Sequence, residues 1–149
     1  MRVFAAILVS ALCVLTAACS RHNQPPPGRW EGTYESADTM IAARLEIDGK
    51  GNVFVSAPDA ENFTDTPDAR AAIRRNLAQG LAAGWSDVQP RTFDFDGTTF
   101  RKPGGVAPQI TWDKASNGMM LVVYLGMRDG ISIPLRPVKD FSDDPWPAQ

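Results

Sequence analysis

Along most of the chain, apolar and polar residues alternate with period two, which predicts strands; one segment repeats at three to four, which predicts a helix. Trp30, Gly32 and Tyr34 share a face of the first strand. Ile41, Ala43, Leu45 and Ile47 alternate with Ala42, Arg44 and Glu46, the pattern of a half-buried strand. Asp48-Gly49-Lys50-Gly51-Asn52 is a turn. Pairing Ile47 with Val53 across it sets Leu45 opposite Val55 and Ala43 opposite Ala57, so the apolar set falls on one side. Thr66-Pro67-Asp68 opens the helix with a capping threonine, proline at the first helical position and an acid at the positive end. Ile73, Leu77 and Leu81 line its apolar face, Arg70, Arg74 and Gln79 point elsewhere, and Gly84 ends it. Gly80 costs about 1 kcal/mol relative to alanine inside a helix, which predicts a close contact with the sheet.

Arg91 to Lys102 reads as a hairpin around Asp96-Gly97, with Phe95 opposite Thr98, Phe93 opposite Phe100 and Asp94 opposite Thr99. The phenylalanines face inward. Gln109 to Asp113 is a strand and Lys114 to Gly118 a turn. Met119 to Met127 carries no charge and is too short to span a membrane, so it is expected to be buried on both faces, with the helix as its second cover. Arg128-Asp129-Gly130 suits a three-residue loop that places Leu125 against Ile133 and Val123 against Leu135. Pro134 and Pro137 withhold two backbone donors, which makes the last strand a sheet edge or a closure point. The sum is a mainly β (α+β) chain. It is an antiparallel meander of about eight sequentially paired strands, a curved sheet or partly closed barrel, with one helix over about 67–84 inserted after the third strand and packed on it.

Ahead of these elements stand Arg2, an apolar stretch from Val3 to Leu15, and the run Leu15-Thr16-Ala17-Ala18-Cys19. The order of charge, apolar core and small residues resembles a secretion signal, and the apolar stretch falls short of the roughly 20 residues a membrane span needs. The run ending in Cys19 resembles the lipobox of bacterial lipoproteins, although Thr16 stands where leucine is usual. The resemblance implies cleavage between Ala18 and Cys19, a diacylglycerol on the Cys19 sulfur and an acyl chain such as palmitate on its new amino group. Two or more acyl chains hold a protein stably, where one holds it only marginally. Ordinary secretion is the other reading, because Thr16 and Ala18 also satisfy a small-x-small cleavage rule. Ser20 resembles the outer-membrane sorting signal, which implies an anchor in the outer membrane facing the periplasm; the inner membrane and the cell surface are the other locations.

Ser20 to Arg29, with three consecutive prolines, is expected to be an extended tether reaching about 30 Å at ~3.1 Å per residue. The chain thus divides into a signal at 1–18, a lipidated cysteine and tether at 19–29, a single β-rich domain at 30–139 and an acidic tail at 140–149. The tail, with Trp146 between two prolines, is a flap over one end of the sheet or a peptide for a partner. Gly28-Arg29-Trp30 followed by a meander is weakly similar to the Gly-x-Trp start of lipocalin and related calycin barrels, from which the inserted helix departs. That similarity implies a carrier of a small apolar ligand.

Composition narrows the chemistry. The 149-residue chain has 15 basic and 17 acidic residues, and Arg2 leaves with the signal, so the mature chain is near −3 and carries no footprint for nucleic acid. Arg70, Arg74 and Arg75 form its tightest basic cluster, read as a solvated helix face. Both cysteines, Cys13 and Cys19, lie in or at the signal, which leaves the domain without a disulfide, a thiol nucleophile or a thiolate metal site. His22, the one histidine, lies in the tether, away from any packed site where an imidazole base or metal ligand would work. No Gly-rich phosphate loop, nucleophile elbow or Ser-x-x-Lys pair is present.

Asp94 and Asp96 form the nearest carboxylate pair, but Asp96 belongs to its turn and Arg101, diagonal to Asp94, keeps that residue ionised. Asp48 and Asn52 belong to turn chemistry rather than a calcium loop, whose twelfth position would be Asp59 instead of glutamate. Glu31 and Glu35 receive no role. No catalytic residue, metal or cofactor is assigned. Trp30, Tyr34, Trp85, Trp112 and Tyr124 are the candidate pocket residues, with a plain core role as the alternative. The expectation is a membrane-anchored, non-catalytic lipoprotein that binds an envelope protein or supports an assembly. The alternatives are an apolar-ligand carrier and, less favoured, a carboxylate hydrolase.

Overall fold

The computed structural model describes residues 23–126 and 129–146. The signal, Ala18, Cys19, His22, Met127 and Arg128 lie outside the described residues. The strands are β1 (Gly28–Glu35), β2 (Thr39–Ile47), β3 (Val53–Ser56), β4 (Asp59–Glu61), β5 (Asp94–Phe95), β6 (Thr99–Arg101), β7 (Pro108–Asp113), β8 (Gly118–Val123) and β9 (Ile131–Val138). One helix, α1 (Pro67–Gly84), continues into a 3-10 turn at Trp85–Asp87. The protein is mainly β: eight antiparallel strands follow the path β3-β2-β1-β9-β8-β7-β6-β5 and curl into a half-barrel, with β4 a short addition to β2.

The last strand is not an edge. β9 pairs with β8 over five residues and with β1 over three, Arg29 to Glu31 against Val138 to Arg136, so it joins two meanders. Gly32 makes the junction possible, because a Cβ there would lie 2.1 Å from the carbonyl oxygen of Pro134. The free ends of the path, β3 and β5, approach at one bridge, where the Arg91 amide donates to the Val53 carbonyl at 2.7 Å.

Alternation sorts side chains to the two faces. Trp30, Ile41, Leu45, Ile47, Phe100, Ile110, Leu121 and Ile133 fill the concave side with their neighbours in one buried cluster. The β2–β3 hairpin has the expected register, Ile47 opposite Val53 and Leu45 opposite Val55. Asp48 closes its turn by accepting the amides of Lys50 (2.8 Å) and Asn52 (2.9 Å) and the Asn52 side chain (2.7 Å).

Two other hairpins slip along the strand while keeping their faces. Phe95 pairs with Phe100 and Asp94 with Arg101, because Asp96 takes the corner before Gly97 rather than the turn centre. There its carboxylate accepts the amides of Thr98 and Thr99 at 2.9 and 2.8 Å, while Gly97 adopts φ +102°. In β8–β9, Leu121 pairs with Ile133 and Val123 with Ile131, instead of Leu125 and Val123 against Ile133 and Leu135. β8 ends at Val123 and Gly126 turns the chain at φ +74°, so the connection is longer than a three-residue loop. Both slips are even-numbered, which leaves the inward set inward.

The helix has its Thr66 cap, the hydroxyl accepting the Ala69 amide at 3.3 Å, and Pro67 at its first turn. It covers β2, not β8. Leu77 and Leu81 meet Met40 and Ala42 on the convex side, so β2 is buried on both faces. β8 is single-sided: Met119 and Leu121 are buried, but Met120 is 40% exposed. Gly80 is exposed and has open space where a Cβ would stand, contrary to the expected sheet contact.

Three substitutions test this packing. Gly80→Ala should raise stability by about 0.5–1 kcal/mol, and Gly32→Ala should lower it by about 3 kcal/mol or more, in urea titrations. Phe100→Ala, which empties a fully buried site, should cost about 3–5 kcal/mol in the same measurement.

Candidate functional site

The convex face outside the helix carries a groove of about 580 Å³, lined by Glu31, Thr33, Thr111, Met120, Pro134, Arg136 and Pro145 among others. Outward positions of β1, β9, β8 and β7 form its floor. Its apolar part is Met120, Pro134 and Pro145, its hydroxyls are Thr33 and Thr111, and its charges are Glu31 and Arg136. Such a surface can hold an extended apolar and polar partner by contact and hydrogen bonds.

Glu31 anchors one side. It is 1% exposed, and its carboxylate accepts from Arg136 Nη2 (3.0 Å), the Ser142 amide (3.0 Å) and the Ser142 hydroxyl (2.7 Å). A buried carboxylate left without such donors would be strongly destabilising. Register explains the cluster, since Arg44 and Arg136 are the cross-strand neighbours of Glu31 on either side. Arg44, 5% exposed, donates to the Ser142 carbonyl at 2.8 Å and lies over the Phe141 ring at 4.9 Å, while its Nε has no hydrogen-bond partner. Burial lowers the Arg44 pKa, and the charges of Glu31 and Asp143 oppose that shift.

The tail is a strap across the convex face. Phe141 packs edge-on against Trp85 at 4.8 Å, Pro145 is buried, and Trp146 inserts beside the helix and donates to the Arg74 carbonyl at 3.3 Å. This is a cover over one face, not the end of the sheet.

Glu35 performs the matching task at the helix. It accepts from Arg74 at 2.6 and 2.9 Å and from Arg70 at 3.3 Å, while Arg70 also reaches Asp65 at 2.6 Å and the Ser36 carbonyl at 2.7 Å. These arginines are therefore structural ties rather than a solvated face; Arg75 alone of the three is exposed. The Arg74 hydrogen bond, aided by the charges of Arg74 and Arg70, holds the Glu35 carboxyl below its ordinary value against the effect of burial.

The candidate aromatics do not converge on one pocket. Trp30 and Trp112 both donate to Asn117, to its carbonyl at 2.6 Å and its side-chain oxygen at 3.0 Å, and close the interior at the β7–β8 turn. Tyr34 packs on the interior cluster, Trp85 stands outside with the strap, and Tyr124 is exposed beyond β8. Asp94 is exposed, and Arg101 pairs with Asp96 at 2.7 Å instead. Hydrogen bonds from Thr99, Arg101 and Thr98 hold Asp96 far below the usual carboxylate range, so it is no proton donor. Glu31, Arg44, Arg136 and Ser142 escaped the sequence reading. Their signal was cross-strand charge: pairing β1 with β2 sets Glu31 against Arg44 and Arg29 against Glu46.

No family model, no curated protein and no solved structure matches the chain.

Because the folded pKa of Glu35 lies below its ordinary 4.5, its stabilisation is present above that value and is lost as pH falls through the folded pKa. Glu35→Gln should cost about 1–2 kcal/mol at pH 7 and flatten the loss of stability between roughly pH 5 and pH 3, measured by urea unfolding.

Proposed function

We propose that the chain is an exported lipoprotein, anchored through Cys19, whose β-rich domain works without catalysis by binding another envelope protein or supporting an assembly. One observation carries the binding part: the concave interior is filled by Leu45, Val55, Phe100 and Leu121, with Phe93 packed against them, while the broad groove opens on the convex face. A filled interior does not favour the calycin-like carrier, which needs an apolar void inside the sheet. The lipobox-like run supports the anchor, and Ser20 supports the outer membrane, facing the periplasm.

Cys19→Ala should release the protein from the membrane fraction and abolish labelling by radioactive fatty acid; unchanged fractionation and labelling would refute the anchor. Crosslinking in intact envelopes, with photoreactive groups at Met120 and Thr111, should yield one discrete protein adduct. Groups placed on the exposed helix position Gln79 should not yield it.

A further inference from the structure

Residues Asn23 to Pro25 do not stand off from the domain. Asn23 donates to the Asp96 carbonyl at 2.8 Å and Gln24 to the Gly49 carbonyl at 3.2 Å, and Pro25 lies beside Gly51. The expected reach of about 30 Å is therefore replaced by the four Cα steps from Cys19 to Asn23, at most about 14 Å.

The same end of the sheet carries the 48–52, 96–99 and 113–118 turns together with the end of β9. Three of the chain's four lysines are there: Lys50 at the β2–β3 turn, Lys114 at the β7–β8 turn and Lys139 just after β9. All three are exposed, and no lysine joins a salt bridge among the described residues. Neighbouring carboxylates are engaged locally. Asp48 and Asp113 accept from their own turns, Asp96 binds Arg101 as well, and Arg29 takes Glu46 at 3.0 Å and Asp140 at 3.2 Å. Exposed Asp38, Asp59 and Glu61 stand at the opposite end, while exposed Asp94 lies on the Lys50 side, beside Asn23 to Pro25.

We infer that this end, bearing Lys50, Lys114 and Lys139, is a membrane-facing surface that rests on anionic phospholipid headgroups and orients the groove sideways to the bilayer. The inference builds on the Cys19 anchor. A lysine at an anionic surface contributes about 1 kcal/mol, or about fivefold in binding.

Purified lipidated protein is reconstituted in phosphatidylglycerol vesicles containing a headgroup-attached nitroxide, with a fluorophore on Gly49→Cys or on Val106→Cys at the opposite end. Both sites are exposed, and neither lies in a packed position. Quenching at 49 should exceed that at 106 at least threefold; equal or reversed quenching in protein that floats with the vesicles overturns the orientation. Protein that fails to float overturns the anchor and this inference with it. Independently of the lipid anchor, the Cys19→Ala chain should bind phosphatidylglycerol vesicles in low salt. Adding Lys50→Gln, Lys114→Gln and Lys139→Gln should weaken that binding tenfold or more; an unchanged affinity overturns the lysine surface.

Discussion

The structure depends on the close approach of β1 to β9. Two meanders, one from each half of the chain, become a single sheet through a ladder of three residue pairs. The approach is so tight at Gly32 that no side chain can stand between that residue and Pro134. Proline contributes no amide to the ladder, so backbone hydrogen bonds alone are few, and side chains complete the junction. Trp30 fills the space beneath it, and Glu31 on the opposite face draws in Arg136 and Ser142. One short ladder thereby sets both the shape of the interior and the path of the tail.

The convex face follows from where the helix settles. Met40 and Ala42 on β2 offer small and flexible apolar surface to Leu77 and Leu81, while Glu35 at the end of β1 captures Arg70 and Arg74. With the helix on β2 and the strap over the β1–β2 region, the outward side of β8 is left open. Met120 and Pro134 then line a groove instead of a second core. The groove and the two-layered packing are thus consequences of one choice of helix position.

Local chemistry was legible wherever a few adjacent residues decide the outcome. The Asp48 turn, the Thr66 cap and the register of β2–β3 are all set by neighbours within about ten residues. The 96–99 turn was legible in kind but not in register, because the Asp96 carboxylate competes for the amides that a two-residue Asp-Gly turn leaves free. Glu31 was illegible because its meaning depends on Arg136, 105 residues away, and on Ser142, 111 residues away.

By itself the sequence determined the β-rich class, the one helix with its cap and the inward sets of β1, β2, β3, β5 and β6. These rest on side-chain period and local hydrogen bonding, which survive even-numbered slips of register. Only the tertiary structure decided that β9 joins β1, that the helix covers β2, and that the tail is a strap held by a buried carboxylate. Each of those outcomes is a competition among distant apolar faces and charges of similar local character, and three-dimensional closure of the sheet selects between them.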